Sequence, residues 1–315
     1  MKKKIRIGTR DSKLAVWQAG KVAALLTQNG WECELVTVKS EGDLDLVTPL
    51  YAMGVQGVFT KTLDAYLLSD KVDVVVHSMK DVPIQLAQGI VQAAVLKRAS
   101  YKDLLVYKNK ESIQRFFTSN ADEQTSVEGV IATGSVRRKA ALLHRFPRLH
   151  IENLRGNVQT RMKKLQENNW DAAVFAAAGL ERIEERPENA IEVDWMLPAP
   201  AQGAIMVVCK HHDNEMIEAC KSLNDKDTAA CVHIEREFLK GLMGGCSTPI
   251  SALAQIEEEL LIFKGNIYSL DGKQKYEIEK TVKTSEAEGL GERCALELLD
   301  EGAKTIVEQI RNTDK

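Results

Sequence analysis

From Lys4 to Cys209 the chain alternates repeatedly between short apolar runs and helix-length amphipathic segments, and this alternation most limits how it can fold. KIRIGT (4–9) is a β run, and Asp11 or Ser12 can cap a helix from Lys13 to about Gln28. ECELVTV (32–38) alternates like a strand, 60–69 reads as a helix, and VDVVV (72–76) and IVQAAVL (90–96) read as buried strands. A second series starts near Asp103, with strands at DLLVY, GVIAT (129–133), LHIEN (149–153) and DAAVFAA (171–177). Helices fit between them at about 135–146 and 157–168. Such a pattern predicts βαβ units with parallel sheets.

The last third changes character. LPAPAQGA (197–204) looks like a crossing or hinge, and AIMVVC (204–209) is another buried strand. A helix from about Thr228 to Leu242 precedes three strand-like runs near 250–256, 259–267 and 275–282, and one long helix closes the chain. Strands in sequence followed by a helix predict a small α+β domain. At 315 residues the chain is too long for one core, which predicts two or three domains.

In open parallel sheets, ligands bind beyond the carboxyl ends of the strands. Four strand ends here carry polar groups: Thr9-Arg10-Asp11-Ser12, Ser78-Met79-Lys80-Asp81, Thr133-Gly134-Ser135-Val136-Arg137-Arg138, and Asn153-Leu154-Arg155-Gly156-Asn157. Each is expected where a helix starts, with free N–H groups and partial positive charge. Ser12 or Ser135 alone reads as a helix cap, and Arg137 and Arg138 alone as a solvated helix face. Four such ends in two α/β series point to a ligand instead.

The charge pattern gives that ligand a sign. Net charge is -3, from 42 Lys and Arg against 45 Asp and Glu, which does not suggest a general nucleic-acid binder. Yet Thr133 to Lys164 contains nine basic residues and one acid, Glu152. Arginine grips carboxylate or phosphate through paired hydrogen bonds, so a small polyanion is expected. No aromatic platform for RNA, no Walker or Rossmann glycine pattern, no HExxH and no GxSxG is present. The apolar runs are strand-sized, so no membrane helix is expected, and the basic MKKKIRIGTR lacks a signal core, which reads as cytoplasmic.

Two residues stand apart. Asp81, in VDVVVHSMKDVP, is a carboxylate beyond a buried strand, where it can accept an N–H or stabilise a developing cation; the competing reading is a salt bridge to a neighbouring base. Cys246, in MGGCSTP, is bracketed by glycines and proline in a tight turn that exposes its thiol. None of the six cysteines forms a CxxC or zinc pattern, and most read as core thiols.

Taken together, RIGTRDSKLAVWQA (6–19), GVFTK (57–61), VHSMKDVP (76–83), TGSVRRKA (133–140), LRGNVQTR (154–161), AAAGLERI (176–183), LPAPAQGA (197–204) and GGCSTPI (244–250) resemble the porphobilinogen deaminase (hydroxymethylbilane synthase) family in order and spacing. The resemblance implies an α/β fold of two periplasmic-binding-protein-like, doubly wound domains flanking a cleft, with a small α+β C-terminal domain carrying a cofactor cysteine. The implied boundaries are 1–98 with 203–222, then 102–199, then 224–315. It implies a transferase that condenses four porphobilinogen molecules head to tail, releasing ammonia and the linear tetrapyrrole hydroxymethylbilane. A dipyrromethane cofactor would be held by a thioether to Cys246, and Asp81 would be catalytic, stabilising the azafulvene and the pyrrolic cation.

By the same resemblance Ser78, Lys80, Asp81, Thr133, Ser135, Arg137, Arg138 and Arg161 would hold the cofactor. Arg10, Ser12, Gln18, Arg155 and Arg182 would hold substrate or the elongating chain. No metal is implied. A cytoplasmic monomer is implied, passing its product to a ring-closing synthase. The chain departs from the family at Glu41, Ala52, Val55 and Gln56, where a lid usually carries arginine, lysines and a glycine; closure rather than charge is expected there. The rival class is a non-enzymatic cleft protein binding carboxylate or phosphate.

Overall fold

Residues 4–40, 57–118, 125–243 and 248–313 are described by this computed structural model. The strands of the first half are β1 (Ile5–Arg10), β2 (Cys33–Val38), β3 (Val74–Ser78), β4 (Ile90–Val95), β5 (Asp103–Tyr107), β6 (Gly129–Ala132) and β7 (Leu149–Glu152). Those that follow are β8 (Ala172–Ala176), β9 (Ala190–Glu192), β10 (Ile205–Lys210), β11 (Ile250–Glu257), β12 (Leu260–Tyr268) and β13 (Lys275–Lys283). The helices are α1 (Lys13–Gln28), α2 (Lys61–Leu68), α3 (Lys110–Thr118), α4 (Val136–Arg145) and α5 (Val158–Glu167). They continue as α6 (Ala177–Glu181), α7 (Asn214–Lys221), α8 (Lys226–Gly241), α9 (Leu290–Leu298) and α10 (Lys304–Thr313).

Two five-stranded sheets share one topology. The first runs β2-β1-β3-β10-β4 and the second β7-β6-β8-β5-β9. In each, three strands are parallel, and the fourth lies antiparallel to both its neighbours. The sheets are therefore mixed, not wholly parallel as the alternation predicts. The reversed strands, β5 and β10, are the ones reached by crossing from the other sheet, so they enter from the opposite end. β11, β12 and β13 form a separate antiparallel sheet.

Both five-stranded sheets are covered on two faces. Along β3, Val74 and Val76 point into one core and Val75 into the other; along β8, Ala172 and Val174 oppose Ala173 and Phe175. Each valine buried this way contributes about 1.5–3 kcal/mol, which keeps such strands apolar until they reach the cleft. Asp73 interrupts the run without penalty, because Arg6 donates to it from its backbone N, Nε and Nη2 at 2.8, 3.0 and 2.8 Å.

The chain crosses between the sheets twice, over residues 96–102 and 193–204. The crossings lie against each other: Ala99 N donates to Gly203 O at 3.1 Å, and Gln202 Nε2 to Tyr101 O at 2.7 Å. Gly203 has φ +88, and a Cβ there would stand 2.7 Å from Ser100 O, so glycine is required at this approach. Glu235, on α8, fastens the third sheet's unit to this crossing. Its fully buried carboxylate accepts Arg98 Nη1 at 2.5 Å, Ala201 N at 2.6 Å and Ala254 N at 2.8 Å.

The closing helix is not continuous. It breaks between α9 and α10, where Gly302 takes φ +122 and passes close to the Tyr276 ring. A Cβ on residue 302 would lie 2.6 Å from the tyrosine oxygen, so packing decides this break.

Candidate active site

Three of the four polar strand ends lead into helices, as expected. Ser12 caps α1, accepting from Ala15 N at 3.3 Å; Ser135 caps α4, accepting from Arg138 N at 3.4 Å; Asn157 caps α5, accepting from Thr160 N at 2.9 Å. The fourth differs. β3 runs on through Ser78, and Met79–Asp81 makes one tight turn rather than a helix. Met79 N donates to Ala204 O, and Arg236 of α8 donates to the carbonyls of Val82, Pro83 and Ile84. Asp81 is therefore presented from a turn held on both sides.

On the first sheet's side, Arg10, Ser12, Gln18, Phe59, His77, Ser78 and Asp81 line one pocket. The Arg10 guanidinium stacks on Phe59, 4.1 Å from the ring centroid. Gln18 is buried, and its amide exchanges hydrogen bonds with the Ser78 hydroxyl at 2.9 and 3.0 Å. Burial, with Arg10 nearby, pushes His77 down to about 4, so its imidazole is neutral at ordinary pH. Asp81 has no ion-pair contact among the described residues, while its charge is felt by the neighbouring Lys80 and by Arg161.

The second sheet contributes the cations. Thr133 is buried, and its hydroxyl accepts from Ser135 N at 3.2 Å. Arg137 and Arg138 are almost wholly buried, so they are not a solvated helix face. Arg137 donates to Leu197 O at 2.7 Å and to Asp103 Oδ2 at 2.6 Å; Arg138 donates to Val174 O at 2.9 Å and to Asp103 Oδ1 at 2.7 Å. Burial alone would raise the Asp103 carboxyl, but the two guanidinium groups hold it well below the usual carboxylate range. Gln202 Nε2 also donates to Asp103 Oδ1, at 2.8 Å, while its Oε1 accepts Lys80 Nζ at 3.2 Å. One amide thus joins Lys80 to the Asp103–Arg137–Arg138 cluster.

Arg155 is buried, and Lys164 donates to its carbonyl. Arg161 donates through Nε to Gly156 O at 2.7 Å. Burial pushes Arg161 down to about 10, helped by Arg138, Arg155 and Arg10 and opposed by Asp81. Those influences come from both sheets: Arg10, Asp81, Arg138 and Arg155 all lie near enough to Arg161 for their charges to reach it. Arg182 stands slightly aside, donating to Gly203 O at 2.6 Å with its guanidinium 5.8 Å from the Trp17 ring centroid.

Reading the chain alone passed over Asp103, Gln202 and Phe59. Asp103 did leave a signal, an acid opening the apolar run DLLVY. Gln202 lies inside LPAPAQGA without a pattern of its own. Cys246 falls in 244–247, and Glu41, Ala52, Val55 and Gln56 in 41–56, all outside the described residues. Of the five other cysteines, Cys209, Cys220, Cys231 and Cys294 are buried, which pushes their thiols up to about 11, 12, 12 and 11. They are core thiols, as the sequence reading has it.

Fold and site together set an arginine-rich wall from the second sheet opposite a wall from the first that bears Arg10 and Asp81. Residues 5–218 match the family model described as porphobilinogen deaminase, dipyrromethane cofactor binding domain, and residues 229–300 match that family's C-terminal domain. The chain belongs to the porphobilinogen deaminase family. Porphobilinogen deaminase of Acidithiobacillus ferrooxidans is 38% identical over 312 residues, covering 98% of both chains. That of Syntrophotalea carbinolica is 38% identical over 307 residues, covering 96% of this chain and 95% of its own. That of Pelotomaculum thermopropionicum is 37% identical over 319 residues, covering 100% and 99%. Among solved structures, an ancestral cationic amino acid solute binding protein superposes with TM-score 0.45 and 14% identity over 70% of this chain and 87% of its own.

The family is one of transferases in tetrapyrrole biosynthesis, and the rival reading as a passive binding protein is not favoured. The residues present fit a dipyrromethane group. The buried Nε atoms of Arg137 and Arg138 find no acceptor among the described residues, which suits a ligand bearing several carboxylates. No helix among the described residues is long and apolar enough to cross a membrane.

Proposed function

We propose that this chain joins four porphobilinogen molecules head to tail, releasing ammonia at each addition and hydroxymethylbilane at the end. The observation that carries the reading is the Asp81 carboxylate, which shares a pocket with Arg10 and whose charge is felt by Lys80 and Arg161. The dipyrromethane group, when bound through a thioether to Cys246, supplies the pyrrole terminus to which each new unit is joined. Ser78, Lys80, Thr133, Ser135, Arg137, Arg138 and Arg161 take its acetate and propionate groups. Arg10, Ser12, Gln18, Arg155 and Arg182 take those of the substrate and the lengthening chain.

Asp81 accepts pyrrole N–H groups and stabilises the cation left when ammonia departs. A carboxylate can do this where the surrounding guanidinium groups cannot. The units 1–98 with 203–222, 102–199 and 224–315 act as domains of a cytoplasmic monomer, and a ring-closing synthase consumes the product.

The decisive experiment is intact-mass spectrometry of the protein beside Cys246→Ser, before and after adding porphobilinogen. The wild type should be heavier than its sequence by two condensed porphobilinogen units, and the variant should not. Bare masses in both after porphobilinogen is added would overturn the reading.

Lys80 gives a second test. Burial, with Arg138 and Arg137 nearby, holds its ammonium down to about 8 against the pull of Asp81 and Asp103. Mass uptake by apoprotein should slow as pH rises through about 8, where Lys80 loses its charge. Lys80→Arg, charged at every relevant pH, should abolish that slowing. An unchanged profile would remove Lys80 from the carboxylate site.

A further inference from the structure

Glu185 gathers three cleft-bearing segments. It follows Arg182 by three residues, in the unit of the second sheet. Its Oε1 accepts Lys13 Nζ at 2.7 Å, and its two oxygens accept Gln159 Nε2 at 3.0 and 2.9 Å. Lys13 adjoins Ser12 at the start of α1, in the unit of the first sheet. Gln159 lies on α5, two residues before Arg161. Burial would raise the Glu185 carboxyl, yet Lys13 and Gln159 hold it below its ordinary value.

Other contacts join the same two surfaces. A Cβ at Gly179 would stand 3.6 Å from Leu14 Cδ2, and Arg182 lies by the Trp17 ring. Lys13, Leu14 and Trp17 share the first turns of α1, so one end of that helix meets residues 179–185 across the boundary between the units.

We propose that Glu185 is a positioning residue for the reaction, a latch that holds α1 against the 179–185 segment and thereby sets the spacing of Ser12, Arg161 and Arg182 across the cleft. This rests on the carboxylate-binding roles proposed above for those three residues. The physical need is plain. A polyanion must be gripped from both walls at once, while the walls belong to units joined by two crossings and both carry positive charge. Glu185 places a negative charge between Lys13 on one wall and the arginine-bearing segments of the other. Lys13 is 56% exposed and Glu185 28%, so the pair can break and reform as the bound chain lengthens. Salt should weaken it.

The test compares the wild type with Lys13→Met, with Glu185→Gln, and with the charge swap Lys13→Glu plus Glu185→Lys. In the swap, the Gln159 amide can turn its oxygen towards the relocated ammonium without loss. Either single change should raise KM for porphobilinogen by about threefold with kcat little altered, the scale of losing one partly exposed ion pair that favours the closed form. Hydrogen exchange of 13–17 and 179–186, read by mass spectrometry without porphobilinogen, should quicken in both. The swap should restore KM and exchange together, and a KM that moves while kcat holds is the readout a merely structural role would not produce. Exchange unchanged in the single variants, or a swap no better than their sum, would overturn the latch. A wild type that neither carries the added mass nor consumes porphobilinogen would overturn the proposed function instead, and the exchange comparison would still decide the latch.

Discussion

Asp81→Asn is expected to lower kcat by roughly 10²–10⁴-fold, the usual contribution of one positioned acid–base or charge-stabilising group. Asp81 sits on a single turn fixed by Ala204 on one side and Arg236 on the other, so the isosteric amide should occupy the same place. What the substitution removes is the negative charge felt by Arg161 and Lys80, and with it the means to stabilise a pyrrolic cation. The circular dichroism spectrum should be unchanged, and kcat at saturating porphobilinogen is the measurement that checks it. Activity above about a tenth of the wild type, short of the lower end of that range, would assign the chemistry elsewhere.

Asp103→Asn should act mainly on stability. Its carboxylate is fully buried between two buried guanidinium groups, and neutralising it leaves those cations with carbonyl partners alone. Breaking a buried pair in this way costs about 3–5 kcal/mol. The sign with pH follows from the depressed carboxyl of the folded state. The stabilisation is present in full above the unfolded value near ~3.9 and is lost as pH falls through the lower folded value. Urea unfolding from about pH 7 downward should show the variant less stable at neutral pH, with the gap narrowing only in strong acid. Equal stability at neutral pH would mean that Asp103 does not balance the arginine pair.

Much of the architecture was legible because hydrophobic period and capping chemistry are local. DLLVY is β5 residue for residue, and Ser12 and Ser135 cap α1 and α4 through their own side chains. The short β9 and helices α6 and α7 were not anticipated, since three to eight residues give periodicity too little length. The reversed direction of β5 and β10 was equally hidden. Apolar patterning tells which residues face a core, but it carries no sign for the direction in which a strand enters a sheet.

The site divides in the same way. The order of amino acids determined by itself that Arg10, Lys80, Asp81, Arg137, Arg138 and Arg155 lie at or just beyond strand ends, because each apolar run stops where its polar residues begin. It determined the family too, because the motifs are contiguous. Tertiary structure alone decided that Arg137 and Arg138 share one buried aspartate, that a hinge amide ties Lys80 to them, and that Glu185 bridges two units. These contacts join residues 34 to 172 positions apart, so no local pattern encodes them. They exist because buried charges must find partners, and the partner within reach is set by how the units pack.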